Sequence, residues 1–131
     1  MTSKELSNLF FLNLEISQEK ERLKTLEEAA TNTTAKISGL PHVSAAFDKT
    51  DIAAEIADTK AIIKHKNDEA VIEYRRLMRY IAKIDDSLIR QIITLRYVDG
   101  KSWTNIAMDI GGGNTPDSVR MAHSRFLKKN K

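Results

Sequence analysis

Apolar residues return along this chain at helical intervals. Leu9, Leu12, Ile16, Leu23, Leu26 and Ala30 fall near the a and d positions of a heptad, with Glu19 as the interruption. The spacing predicts a helix over residues 3–30, about 40 Å long and longer than a small core requires. Phe10, Phe11 and Leu14 widen its apolar surface near the start. Gly39 and Pro41 then bar a continuous helix, so residues 31–50 are expected to form a connecting loop. Val43 and Phe47 are its candidate attachment points, and Asp48 or Thr50 the cap of the helix that follows. Over 51–84, Ile56, Ile63, Ala70, Leu77 and Ile84 recur every seven residues. Ile52, Tyr74 and Ile81 add a flanking row that Lys60 and Asn67 interrupt. The two long helices together predict an antiparallel, coiled-coil-like hairpin. Asp85-Asp86-Ser87 marks a break and a fresh cap. Leu88, Ile92 and Leu95, with Ile89 and Ile93 beside them, then predict a third helix to about Tyr97.

The last third is punctuated more tightly. Val98-Asp99-Gly100-Lys101 has turn composition, and Ser102 is a good N-cap. Trp103, Ile106, Ala107 and Ile110 follow at i, i+3, i+4 and i+7, giving one apolar face. Gly111-Gly112-Gly113-Asn114 ends that helix. Thr115 caps the next, Pro116 suits its first position, and Asp117 suits its positive end. In this second helix Val119, Ala122 and Phe126, with Leu127, are expected to pack inward. Asp117, Arg120, Met121, Ser124 and Lys128 share another face. Two short helices joined by a glycine turn, the second basic and polar, make the pattern of a helix-turn-helix. On that reading Asp117, Arg120, Met121 and Ser124 face bases, since Arg can bond guanine, Asp can accept from cytosine and Met can touch a thymine methyl. Lys101, Ser118, Arg125, Lys128 and Lys129 flank them, where phosphates would lie. Ile92, Leu95, Trp103, Ile106, Val119 and Phe126 are expected to share one small core.

The ordered series Leu95-Arg96-Tyr97, Gly100-Lys101-Ser102-Trp103, Ile106-Ala107, Ser118-Val119-Arg120 and Phe126-Leu127-Lys128-Lys129 resembles the region-four domain of bacterial sigma factors. The whole chain resembles phage-encoded transcriptional regulators of the ArpU and RinA kind, which join a long helical front to a sigma-like helix-turn-helix. The motif resemblance covers roughly residues 85–129. It implies that the first residues of the recognition helix, here Pro116, Asp117, Arg120 and Met121, read bases, and that RNA polymerase is a second partner. Pro116 and Met121 depart from the sigma pattern, because neither offers a hydrogen bond there.

Composition adjusts this picture in three ways. Aromatic residues are 6% and charged residues 30% of the 131, which suits helices more than a sandwich of strands. The chain has no Cys, so disulfides, thiolate metal sites and thiol catalysis are excluded, and a cytoplasmic location is expected. No apolar run approaches a membrane span, and the start does not read as a signal peptide. Charge is uneven: residues 96–131 carry net +4 and residues 1–95 net −1. The positive excess lies in the reading module, as contact with polyphosphate requires, but +4 is modest, so two copies or more are expected to act together. Lys64-His65-Lys66 and Arg75-Arg76-Arg79 read as solvated spots among Asp68, Glu69 and Glu73.

No catalytic constellation stands out. His42, His65 and His123 are scattered, lack metal-ligand spacing and read as surface residues. Gly111-Gly112-Gly113 is no phosphate loop, since no Gly-Lys-Ser/Thr follows. The expectation is therefore an all-α chain and not an enzyme, with no cofactor and no metal. Residues 1–84 would form a helical hairpin and oligomerisation arm, and residues 85–131 a three-helix, helix-turn-helix domain. Its function would be sequence-specific binding of double-stranded DNA by residues 116–128, as a homodimer or homotetramer that regulates transcription. The rival readings are a helical protein–protein adaptor and the DNA-recognition subunit of a phage packaging motor.

Overall fold

A computed structural model of the chain describes residues 1–31 and 49–130. Among them every regular element is helical: α1 (Ser3–Leu6), α2 (Asn8–Thr31), α3 (Lys49–Ala82), α4 (Ser87–Ile93), a π-helical turn (Thr94–Val98), α5 (Trp103–Ile110) and α6 (Pro116–Lys129). No described helix is long and apolar enough to cross a membrane. Most of the loop expected over 31–50, with His42, Val43, Phe47 and Asp48, lies outside the described residues. Thr31 ends α2, and Thr50 lies inside the first turn of α3 and is not its cap.

Contacts divide the chain into two compact units. One combines Met1–Phe11 with Ala70–Lys131; the other is Leu12–Glu69. The expected boundary after residue 84 falls inside the first unit. Its reason is visible in the packing: Leu6, Leu9, Leu77, Ile81 and Ile84 are buried there along with residues of the last third.

In the first unit, local chemistry sets each helix end. Thr2 Oγ1 accepts from Glu5 N–H while the Glu5 carboxylate accepts from Thr2 N–H at 2.7 Å, a reciprocal cap that starts α1. The helix expected over 3–30 is interrupted at Ser7, whose hydroxyl bonds back to the Ser3 carbonyl at 2.8 Å. Asp86 caps α4 by accepting from the N–H groups of Leu88 and Ile89. The guanidinium of Arg90 donates to the carbonyls of Ile84 and Asp85, just past the end of α3, and so ties the junction of the two helices. The π-turn closes through Asp99 N–H to the Thr94 carbonyl at 3.1 Å. Gly100 follows it at φ +69°, and a Cβ there would meet the Phe10 ring at 3.4 Å. The core is Ile92, Ile93 and Ile106, each at 0% exposure, with Leu6 and Val119 at 1%. Burying each such side chain contributes about 1.5–3 kcal/mol. Leu95, Trp103 and Phe126, expected beside them, are half-buried. Leu88, expected on the inner face of α4, is exposed; Ile89, Ile92 and Ile93 take that face instead.

The second unit is slighter. Ile16 and Leu26 of α2 are buried, as are Ile52, Thr59 and Ile63 of α3. Along α3, which from Ala70 onward belongs to the first unit, and just past its end, the row Ile56, Ile63, Ala70, Leu77, Ile84 lies inward. The flanking row differs from expectation. Ile52 and Ile81 are buried as expected, but Tyr74 is exposed along with Lys60 and Asn67, and Thr59, Lys66, Glu73 and Tyr80 take the inward positions between them. Polarity hid this row. Thr59 donates to its own helix at the Glu55 carbonyl, Lys66 pairs with Glu15 at 2.9 Å, and Glu73 pairs with Arg76 at 2.8 Å. A second interhelical pair, Lys60–Glu27, spans 4.0 Å. The Lys66 ammonium is held above its ordinary pKa, first by the hydrogen bond to Glu15.

Candidate nucleic-acid interface

Helices α5 and α6 are built as their sequence demands. Ser102 Oγ accepts from Asn105 N–H and opens α5. Gly111, Gly112 and Gly113 follow at φ +66°, +62° and +82°, a run of left-handed backbone that only glycine adopts without strain. Asn114 closes the turn, its side chain donating to the Gly111 carbonyl at 2.8 Å. Thr115 and Ser118 then cap α6 reciprocally, at 3.0 and 2.9 Å, with Pro116 at its first position.

These constraints leave α6 with two faces. Val119 and His123 are buried, and Ala122, Phe126 and Leu127 are half-buried. Asp117, Arg120, Met121, Ser124 and Lys128 are all exposed, on one face. Arg120 and Asp117 form an ion pair at 3.3 Å, largely in solvent. Such an exposed i, i+3 pair is worth a few tenths of a kcal/mol, so either partner can turn to another ligand at little cost.

Of the flanking residues, Arg125, Lys128 and Lys129 are exposed and have no ion-pair partner among the described residues. Ser118 and Lys101 are engaged. The Ser118 hydroxyl is spent on the α6 cap and on Asn114. The Lys101 ammonium bonds the Asp109 carboxylate, which raises its pKa. Asp109 thus offsets one of the positive charges assigned to this surface. Met108, on α5, is 74% exposed.

Behind α6 lies a polar cluster that a surface reading of His123 missed. His123 is 7% exposed, not the surface residue expected. Its Nε2 is hydrogen-bonded to the Tyr97 hydroxyl, and that hydroxyl lies 3.3 Å from Ser3 Oγ. The Trp103 ring is 4.9 Å away, and the Arg96 guanidinium sits 4.3 Å over Trp103 while donating to the Lys101 carbonyl at 3.0 Å. Burial, and then the Arg96 charge, lower the His123 pKa from 6.5 to about 4, so the ring is neutral near pH 7. Burial raises the Tyr97 pKa. The signal for His123 was present in the spacing, since Val119, His123 and Phe126 stand at i, i+4 and i+7. Nothing local pointed to Tyr97, which the π-turn carries inward.

No family model, curated protein or solved structure matches the chain. The reading of this surface therefore rests on its own chemistry.

Proposed function

We propose that α5, the glycine turn and α6 act as a helix-turn-helix that binds double-stranded DNA, with α6 in the major groove. The observation that carries this is the division of α6: Val119 and His123 buried, and Asp117, Arg120, Met121, Ser124 and Lys128 together on the open side. Arg120 offers a bidentate donor for guanine, Asp117 an acceptor for cytosine, Met121 an apolar contact for thymine and Ser124 a hydroxyl. Arg125, Lys128 and Lys129 supply phosphate contacts. Lys101 joins them once it exchanges Asp109 for a phosphate. Ser118 contributes through the α6 N-terminus it caps.

The sequence resemblance to sigma region four and to the ArpU and RinA regulators supports the reading of a phage-type transcriptional regulator acting at promoters with RNA polymerase. Its long helices form a hairpin arm that gathers two or four copies, which the modest positive charge of one module calls for. Exposed Ile62, Val71, Ile72 and Tyr74 on α3 favour such self-association.

The test is duplex binding by fluorescence anisotropy, using a fragment selected from random sequence. Arg120→Ala should weaken that fragment by about 1–3 kcal/mol and leave thermal unfolding unchanged. Equal binding by variant and parent would remove this face from the interface.

One observation favours a second reading, a protein-binding adaptor. A cleft of about 670 Å³ runs between α4 and α6, floored by Ile84, Leu88, Ile89 and Phe126. Salt separates the two readings. Binding to DNA falls steeply between low and moderate salt, whereas docking in an apolar cleft barely responds.

A further inference from the structure

We infer that the hydrogen-bonded chain Ser3–Tyr97–His123 is a positioning strut that sets the rotation of α6, which makes the N-terminal segment part of the reading module. The purpose of the strut rests on the DNA-binding reading; its geometry does not. The three residues come from α1, the π-turn and α6, and the Ser3–Tyr97 link spans 94 positions of sequence.

The inner face of α6 explains why a strut is needed. Val119 alone among its apolar residues is fully buried, and Ala122, Phe126 and Leu127 are only half-buried. Apolar contact is non-directional, so so few contacts hold the helix in place without fixing its rotation. One residue of rotation, about 100°, would carry Arg120 and Ser124 off the open side. A hydrogen bond is directional and supplies what packing lacks. His123 lies between Met121 and Ser124 in sequence and points the opposite way, so it fixes the face they present.

The protons can be placed. His123 Nδ1 is buried and has no hydrogen-bond partner among the described residues. A buried N–H without an acceptor is rarer than an unused lone pair, so Nδ1 is the bare nitrogen and Nε2 carries the hydrogen. Nε2–H then donates to the Tyr97 oxygen, and the Tyr97 O–H donates to Ser3 Oγ. The far end of the chain is anchored as well. Leu6 is 1% exposed, and Arg76 donates to the Glu5 carbonyl at 3.3 Å.

The experiment uses full-length protein, a duplex selected by the parent from a random-sequence pool, and a duplex of unrelated sequence. Tyr97→Phe removes both hydrogen bonds of the hydroxyl and should weaken the selected duplex about tenfold, leaving the unrelated duplex within about twofold. Amide exchange should quicken in α1 and α6 but not in α4. His123→Gln can place its Nε2 donor near the same point and should stay within about threefold of the parent, whereas His123→Leu should behave like Tyr97→Phe. The ring nitrogens of the parent should show Nδ1 unprotonated by NMR. Equal losses on both duplexes, with exchange quickened throughout the unit, would mean ordinary packing and overturn the strut; so would no change at all. A parent that selects no duplex would refute the DNA-binding reading, and the exchange comparison would still decide the strut.

Discussion

Lowering the pH from 7.5 to 4.5 should weaken the unit that holds α6 through one identifiable group. His123 is neutral in the folded chain, with its pKa lowered from 6.5 to about 4 by burial and then by Arg96. Unfolding returns the ring to its ordinary value. The unfolded state therefore binds the proton first, and folding stability falls as pH falls. This contribution is fully present above about pH 6.5, declines between there and about pH 4, and changes no further below. Each pH unit of the gap is worth about 1.4 kcal/mol, so the ceiling is roughly 3 kcal/mol. At pH 4.5 the folded ring is only partly protonated, so about 2–2.5 kcal/mol of this is lost by then. The carboxyl of Glu5, held below its ordinary value by its bonds to Thr2, acts in the same direction at lower pH. A difference experiment separates the two. His123→Phe fills the site with a ring that cannot titrate, and it costs about 1 kcal/mol at neutral pH because Tyr97 loses a partner. Urea unfolding can be followed at Trp103, the only Trp of the chain, whose ring stands 4.9 Å from His123. Between pH 7.5 and 4.5 the parent should lose about 2 kcal/mol more than the variant. If both lose the same amount, His123 is not a buried neutral ring, and the account of the cluster fails.

Other outcomes follow from single contacts. Ile92→Ala opens a cavity at a side chain with 0% exposure and should cost about 2–5 kcal/mol, read by urea unfolding. Thr115→Ala removes the α6 cap and should cost about 1 kcal/mol, with amide exchange rising first at Val119 and its neighbours. Gly112→Ala places a side chain at φ +62° where no neighbour obstructs it, so the cost is backbone strain alone, about 1–2 kcal/mol in thermal unfolding. Lys101→Ala frees Asp109; if α6 binds DNA as proposed, the loss of this cation should weaken all duplexes alike and lower the salt slope by about one.

Short-range physics made much of this protein legible in its sequence. Ser102, Gly111, Thr115 and Pro116 announce where α5 and α6 begin and end, because caps and left-handed turns depend on a residue and its immediate neighbours. Ile56, Ile63, Ala70, Leu77 and Ile84 announce the inward row of α3, because repeated burial needs repeated apolar residues. The open face of α6, from Asp117 to Lys128, was readable for the same reason. Tertiary structure decided what pairing across distance decides. Lys66 faces inward where it meets Glu15, 51 positions away, and a lysine looks solvated until that partner is known; Thr59 and Glu73 are satisfied within α3 itself, by Glu55 and Arg76. His123 is buried because a π-turn brings Tyr97 beneath it and α1 brings Ser3 to Tyr97. A histidine's place depends on who meets it, and residues 94 and 26 positions apart meet only once the chain has folded.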